Sequence, residues 1–142
     1  MPWPAEYQRA TDRFYEFLTE TKEEADLGST HMTYTMVQGV LQVFRRRISN
    51  DEAILFSGTL PVGLRALFVA DWDPYELKRP FENRAEMTRE VKELRKNHNF
   101  AVNDSISIVA KIIRRYVDEE KFNAVLSKMS PDAQSFWSEN RD

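Results

Sequence analysis

Residues 36–68 read MVQGVLQVFRRRISNDEAILFSGTLPVGLRALF, and this stretch decides the fold. Its apolar residues recur every three or four positions, which is the spacing of one face of an α-helix. Residues 108–137 repeat the pattern as IVAKIIRRYVDEEKFNAVLSKMSPDAQSFW. Each stretch predicts a long amphipathic helix, an acidic helix start, a shorter helix, and a proline-opened helix that ends in an aromatic residue. Because such units bury their apolar faces against each other, the repetition predicts a helical core.

The two stretches correspond position by position along their apolar faces. The matched residues are Val37, Val40, Leu41 and Phe44 with Val109, Ile112, Ile113 and Tyr116, then, after a three-residue deletion, Ile48, Leu60, Leu67 and Phe68 with Val117, Met129, Phe136 and Trp137. A chain of 142 residues is expected to form one domain. We therefore predict a single domain over residues 1–142, a compact all-α bundle of about seven or eight helices. It would consist of one repeat at about 14–68, a connector at about 69–83 and a second repeat at about 84–138.

Capping residues mark the predicted helix starts. The Ser49 hydroxyl can accept from the Glu52 amide while the Glu52 side chain reaches back, which is a capping box. Further start signals are Pro61 at a first helical position, Asn83 with Glu86, Asn103 or Asp104, and Ser130 with Pro131. Residues 6–25 have helical spacing, whereas residues 70–82 contain two prolines and predict an irregular connector. We find no strand pair with a hairpin signal, which favours an all-α fold.

The composition favours an ordinary folded domain and argues against several other classes of protein. Hydrophobic residues make up 42% and charged residues 30% of the chain, as in ordinary folded domains. The net charge of −3 argues against a general nucleic-acid binder. The chain has no cysteine, which excludes disulfides, thiolate metal sites and cysteine nucleophiles and fits a reducing compartment. Neither a signal peptide nor an apolar run of membrane-spanning length is recognisable, so we expect a bacterial-type cytoplasmic protein that does not enter a membrane.

Residues 44–74, FRRRISNDEAILFSGTLPVGLRALFVADWDP, closely resemble a bacterial family of unknown function, the family numbered 2267. The matching positions are Arg47 with Ile48, Ser49 to Ala53, Leu60 with Pro61, Arg65, and Trp72 to Pro74. The family also has a weaker second copy, so the resemblance covers most of the chain. Two positions depart from the family pattern: Asp71 stands where glycine is expected, and Ser130 replaces the leucine before Pro131. The resemblance implies an all-helical bundle, and it implies no activity, substrate or ligand.

The arginines form the strongest charge feature. Arg45, Arg46 and Arg47 are consecutive, and Arg114 and Arg115 stand at the corresponding helix end of the second repeat. One hypothesis is that they share a basic face that binds an anion or nucleic acid, because guanidinium groups pair well with phosphate and carboxylate. The alternative is structural: arginines in a last helical turn stabilise the terminal carbonyls and pair with acidic helix starts. We favour the structural interpretation, because nucleic-acid binding calls for a basic surplus that this chain does not have.

The connector offers a second candidate surface. Trp72, Asp73 and Tyr75 lie in an irregular segment, and large side chains with a polar group are typical of binding hot spots. The alternative, which we favour, is that Trp72 fills the seam between the repeats while Asp73 starts a turn ahead of Pro74. Arg65, which belongs to the family pattern, completes the set of candidate binding residues.

No motif predicts a cofactor, a metal site or a catalytic group. His31 and His98 are the two histidines, and neither has zinc-site spacing, so we expect both to be surface or capping residues. Three functions therefore remain open. The leading hypothesis is a non-catalytic protein-interaction or regulatory module that binds an unknown partner protein or itself. Anion or nucleic-acid binding through the arginines is the first alternative, and an enzyme without a recognisable motif is the second.

Overall fold

The computed structural model describes residues 4–138, and this part of the chain is all-helical. The helices are α1 (Ala5–Gln8), α2 (Ala10–Ala25), α3 (Thr30–Arg45), α4 (Asn50–Ser57), α5 (Val62–Val69), α6 (Arg84–Val91), α7 (Ser105–Ile113), α8 (Glu119–Leu126) and α9 (Pro131–Phe136), with a 3₁₀ helix (Lys96–His98) between α6 and α7. The predicted all-α class is confirmed. No helix among the described residues is long and apolar enough to cross a membrane.

Most predicted caps are present. The Ser49 hydroxyl accepts from the Glu52 amide at 3.1 Å, and the Glu52 carboxylate accepts from the Ser49 amide at 2.8 Å, which completes the capping box. The Asn83 side chain accepts from the Glu86 amide at 2.9 Å. Ser130 caps α9, and Pro131 is the first residue of that helix. The starts of α4, α6 and α9 therefore follow from local side-chain chemistry.

Two boundaries differ from the sequence prediction, and one predicted cap lacks its side-chain hydrogen bond. Arg9 separates α1 from α2, so the predicted helix over residues 6–25 is two helices. Pro61 is the cap of α5 and not its first residue. Asp104 occupies the cap position of α7 without a side-chain hydrogen bond. Such shifts of one or two residues are common at helix ends, where turns compete with the last helical bonds.

The helix α3 is the centre of the bundle and contacts α2, α5, α6 and α7. Its apolar residues are fully buried: Met36, Val37, Val40, Leu41 and Phe44. Close packing here depends on glycine. A Cβ atom at Gly39 would lie 2.8 Å from the Val91 carbonyl oxygen of α6, and one at Gly63 would lie 2.7 Å from the Phe14 ring of α2. Both positions therefore require a residue without a side chain.

An aromatic cluster joins the region α3–α5 to the region α7–α9. The Phe56 ring stacks on Trp137 with centroids 5.4 Å apart, and Phe44 lies 5.1 Å from Phe136 and 5.3 Å from Trp137. Trp137 is fully buried. Trp72, which we expected in this seam, is only partly buried against the core. The position between the two regions is thus filled by Trp137, Phe44 and Phe56.

Residues 70–83 form the irregular connector between α5 and α6, as the two prolines predicted. The connector crosses the C-terminal end of α3, where the Arg79 amide donates to the Arg46 carbonyl at 3.0 Å. It also lies against the start of α4, where Asn50 donates to the Pro74 carbonyl at 3.0 Å and accepts from Lys78 at 2.9 Å. Backbone and side-chain hydrogen bonds therefore fix the connector along its length.

Candidate functional site

Arg45 holds the first part of the connector from inside the protein. Its side chain is only 2% exposed, and its Nη1 donates to the Phe68 carbonyl at 2.7 Å and the Ala70 carbonyl at 3.0 Å. Its guanidinium also lies 5.6 Å from the centre of the Trp72 ring. Burial, and then the neighbouring charge of Arg46, lowers the pKa of Arg45. Arg45 thus ties the end of α5 and the connector to the last residue of α3.

Arg46 and Arg47 hold the second part of the connector, and they share one carboxylate of α6. Glu90 of α6 accepts from Arg46 Nη1 at 3.1 Å and from Arg47 Nη2 at 2.8 Å. Arg46 also pairs with Glu76 at 3.2 Å, and Arg47 pairs with Glu82 at 2.9 Å. Since Glu76 and Glu82 are connector residues, the pairs join α3, α6 and the connector in one network.

The network is electrically balanced. Its members are Arg46, Arg47, Arg79, Glu76, Glu82 and Glu90. Burial raises the pKa of Glu90, but the hydrogen bonds and charges of Arg47, Arg46 and Arg79 outweigh this effect, so its pKa lies below the ordinary value. Burial likewise lowers the pKa of Arg47, but its contacts with Glu90 and Glu82 raise it overall. Each charge is therefore matched inside the chain.

A local turn then directs the middle of the connector outward. The Asp73 side chain accepts from the Tyr75 amide at 3.0 Å, and the Asp73 carbonyl accepts from the Glu76 amide at 3.1 Å. This is the turn that Asp73 and Pro74 predicted. Asp71 adopts a left-handed backbone conformation with φ of 56°, which glycine and aspartate tolerate better than most residues. As a result, Tyr75 is 91% exposed and Leu77 is 88% exposed.

Three carboxylates accompany these two exposed side chains. Asp73 begins the turn and Asp71 precedes it by two residues, and Asp51 follows Asn50, which contacts the connector at Pro74. All three are exposed, and none forms a salt bridge with another described residue. We call Tyr75, Leu77, Asp51, Asp71 and Asp73 together the connector surface. The carboxylates of this surface thus have no salt-bridge partner among the described residues, although the charge of Asp71 also acts on the enclosed Arg45.

Arg114 and Arg115, at the end of α7, lie away from the connector surface, and Arg114 makes a contact like that of Arg45. Arg114 donates through Nε and Nη2 to the Trp137 carbonyl at 3.1 and 2.9 Å, and it pairs with Glu119 at 3.6 Å. Arg115 pairs with Glu20 of α2 at 2.7 Å. Arg114 and Arg45 each donate to a carbonyl 23 residues ahead, at or near the end of a short helix. Both arginines thus contact the end of another helix, whereas we expected them at the carbonyls of their own last turn; the expected pairing with an acidic helix start is present for Arg114 and Glu119 and absent for Arg45.

Arg65 lies in a cleft and is not part of the connector surface. The cleft has a volume of about 580 Å³ and lies between α1 and the start of α2, the α4–α5 turn, and the turn before α8. Arg65 donates to the Leu60 carbonyl at 3.0 Å and lies 3.8 Å from Glu6. The charged residues of the lining are Arg9, Arg13, Arg65 and Lys121 with Glu6, Asp12, Glu16 and Asp118. Because basic and acidic groups are equal in number, the lining of the cleft carries no net charge.

Tyr116 is the lining residue of this cleft whose ionisation is perturbed. Its hydroxyl donates to Glu20, and its ring lies 4.3 Å from the Arg13 guanidinium. Burial and the Glu20 carboxylate raise the pKa of Tyr116. A phenol that holds its proton more tightly than usual is poorly suited to acid–base catalysis near neutral pH.

The structure brings together five of the residues predicted from the sequence, namely Arg45, Arg46, Trp72, Asp73 and Tyr75, with Arg47 beside them in the Glu90 network. It does not bring Arg65, Arg114 or Arg115 to them. Sequence reasoning did not include Asp51, Asp71, Leu77 or Glu90 among the candidate binding residues. Leu77 is an apolar residue in an irregular segment, and such residues usually belong to the core. Glu90 lies on an amphipathic helix, where periodicity marks the polar face but does not identify the partner of one carboxylate.

Comparison with known families agrees with this architecture. A family described as "Uncharacterized conserved protein (DUF2267)" matches residues 14–136, which is most of the chain. The chain belongs to this family. The match runs from Phe14 of α2 to the last residue of α9, so the DUF2267 region includes the connector and every element that anchors it. No curated protein matches the chain. Among the described residues, no group of histidine and acidic side chains is arranged to hold a metal ion.

Proposed function

We propose that this chain is a non-catalytic protein-interaction module and that the connector surface is its binding site. The observation that carries the proposal is the near-complete exposure of Tyr75 and Leu77, at 91% and 88%, two residues apart in one segment. Tyrosine is enriched in interface hot spots because its ring buries a large area while its hydroxyl keeps a polar contact. Exposed apolar side chains that lie together are more informative than scattered ones.

The support beneath the surface strengthens the proposal. The connector is held by Arg45 at Ala70, by Arg46 at Glu76 and by Asn50 at Pro74. A segment that is fixed before binding loses less conformational freedom when the partner arrives, so more of the contact energy remains as affinity. The arginines thus fix the connector, and the exposed residues Tyr75 and Leu77 contact the partner.

The contacts of the arginines do not favour the anion-binding alternative. Arg45 is enclosed, Arg46 and Arg47 are paired with carboxylates, and Arg115 is paired with Glu20. An anion would have to displace these internal partners before it could bind. The contacts also lie on different elements, which does not support one shared basic face. We therefore do not propose nucleic acid as the partner.

The organisation of the domain is part of the same proposal. We infer one domain over residues 1–142 that contains two related helical units, at about 14–68 and 84–138, joined by the connector at about 69–83. The matching contacts of Arg45 and Arg114, each with a carbonyl 23 residues ahead, support this relationship.

A quantitative affinity capture tests the proposed function. The full chain and its Tyr75→Ala/Leu77→Ala variant serve as baits in a native bacterial lysate treated with nuclease. We expect at least one protein to be retained by the wild type and reduced about tenfold by the double substitution, because loss of hot-spot residues costs about 1–2 kcal/mol or more. Quantitative mass spectrometry measures the ratio.

The matched control is Tyr15→Ala/Phe100→Ala, which removes two aromatic side chains that are 60% and 53% exposed elsewhere on the protein. This variant should retain the same protein at the wild-type level, and circular dichroism should show equal helicity for all three baits. Equal recovery by the wild type and the Tyr75→Ala/Leu77→Ala variant would refute the connector surface as the binding site.

A further inference from the structure

We propose that the partner of the connector surface is a positively charged protein segment with an apolar or aromatic anchor, and not an acidic protein, a nucleic acid or a second copy of this chain. The inference rests on the proposed function and adds the chemistry of the partner. Its basis is the difference between the basic and the acidic side chains near Tyr75 and Leu77, because several of the acidic ones have no salt-bridge partner.

Most of the charge around the connector that has no ionic partner is acidic. Arg79 pairs with Glu90 at 3.0 Å, whereas Lys78 donates to the neutral Asn50 side chain at 2.9 Å and keeps its single positive charge. In contrast, Asp51, Asp71 and Asp73 are exposed and form no salt bridge with another described residue. The charge that the connector surface offers to a partner is therefore negative.

The backbone fixes these carboxylates in place. Asp73 accepts from the Tyr75 amide, so its side chain lies beside the base of the exposed tyrosine. Asp71 is held by its left-handed conformation immediately before Trp72, whose ring lies against Arg45. Asp51 lies in the first turn of α4, next to Asn50, whose side chain donates to the Pro74 carbonyl of the connector. Fixed charges around an apolar centre select partners by complementarity and by repulsion of unsuitable ones.

This arrangement discriminates between classes of partner. A nucleic acid or an anionic membrane would meet like charge at this surface. A symmetric dimer through the same surface would place the aspartates of one copy opposite those of the other, because both copies contribute the same patch. A lysine- or arginine-rich segment would meet opposite charge at the border and could bury an apolar anchor against Tyr75 and Leu77.

A peptide-display selection on the full chain tests the inference. Random twelve-residue peptides are selected against the wild type and counter-selected against the Tyr75→Ala/Leu77→Ala variant. We expect the enriched peptides to carry a positive net charge with at least one aromatic or large aliphatic residue. Their affinity, measured by calorimetry on synthetic copies, should fall severalfold when NaCl is raised from about 50 to 300 mM, because the paired charges are screened.

Conservative substitutions separate the charge from the shape of the surface. Asp71→Asn/Asp73→Asn removes two negative charges, while asparagine tolerates the left-handed backbone and can still accept from the Tyr75 amide. This variant should bind the selected peptides about fivefold more weakly than the wild type, at the strength expected of two exposed charge contacts.

The matched control is Glu23→Gln/Asp26→Asn. Asp26 has φ of 55°, nearly the 56° of Asp71, and it lies just before α3. Because α3 has 16 residues, Asp26 is about 24 Å from the end of α3 that the connector crosses. The control should change affinity less than twofold, although it removes the same charge from the protein.

The outcomes distinguish the inference from the proposed function. Neutral or acidic peptides that depend on Tyr75 and Leu77 would overturn the partner class and leave the interaction module intact. Peptides that bind the Tyr75→Ala/Leu77→Ala variant equally well, or a selection that enriches nothing, would count against both. Sedimentation that shows a wild-type dimer abolished by the same variant would assign the surface to self-association and overturn the basic partner.

Discussion

Arg45 and Arg114 make the same kind of contact in two regions of the molecule, and their surroundings differ. Each donates to a carbonyl 23 residues ahead, Arg45 to Phe68 and Arg114 to Trp137. Arg45 is enclosed and forms no ion pair with a described residue, whereas Arg114 is partly exposed and pairs with Glu119. The difference is that Arg45 also holds the connector, at Ala70 and Trp72. Arg114 thus contacts only the end of a helix, whereas the corresponding contact of Arg45 also anchors the connector.

The largest effect is expected for Arg45→Ala. The substitution leaves the Phe68 and Ala70 carbonyls without their buried donor and opens space under Trp72. We expect a loss of about 3 kcal/mol in the free energy of unfolding, since removal of one partner from a buried charged contact has a cost of this order. Urea denaturation followed by circular dichroism measures it. Arg9→Ala, at an exposed arginine, should stay within about 0.5 kcal/mol of the wild type.

A loss of about 2 kcal/mol is expected for Glu90→Gln, because the amide is a weaker partner for Arg46, Arg47 and Arg79. The pKa of Glu90 is lowered by folding, so its contribution is present above the ordinary pKa of 4.5 and is lost as the pH falls through the folded-state pKa. The difference between wild type and variant should therefore be full at pH 7 and shrink below about pH 4.5. A difference that stays constant down to pH 3 would contradict this role. Glu93→Gln, at an exposed position, serves as the control.

Arg114→Ala should cost less than Arg45→Ala, about 1.5 kcal/mol, because water can replace part of the lost contact at a partly exposed site. The same denaturation series measures it. Equal costs at Arg45 and Arg114 would show that enclosure by the connector adds nothing to the helix-end contact, and the comparison between the two regions would then fail.

The smallest effects are expected at Asp71. Its φ of 56° favours glycine, so Asp71→Ala should cost about 1 kcal/mol while Asp71→Gly should remain within about 0.5 kcal/mol of the wild type. Thermal unfolding of the three proteins gives the ranking. If alanine proved as stable as glycine at this position, the left-handed conformation of the connector would be wrong.

The sequence predicted those features that depend on neighbours in the chain. The capping box of Ser49 and Glu52, the cap at Asn83 and the turn at Asp73 each involve residues within three positions, so local rules were sufficient. Arg47 and Glu90 are 43 residues apart. Periodicity shows which side chains face the core, but it does not show which helix ends meet, and so the network could not be predicted.

The candidate site was predicted only in part, because some of its features depend on contacts between residues that are distant in the chain. Tyr75 and Asp73 were recognised because the connector is irregular and carries residues typical of binding sites. The exposure of Leu77 depends on how the Glu76 and Arg79 contacts orient the backbone, and these contacts join distant elements. Trp72 was expected in the seam, but Trp137 lies there, because aromatic residues with equal propensity compete for one core position and only packing decides between them.

We infer that the connector, although irregular, is as well ordered as the helices and presents Tyr75 and Leu77 in one arrangement. Backbone ¹⁵N relaxation of the full chain tests it directly. The amides of residues 71–79 should have order parameters near 0.85, equal to those of α3, and Arg45→Ala should lower them if the protein still folds. Order parameters below about 0.6 at Tyr75 and Leu77 in the wild type would contradict the claim.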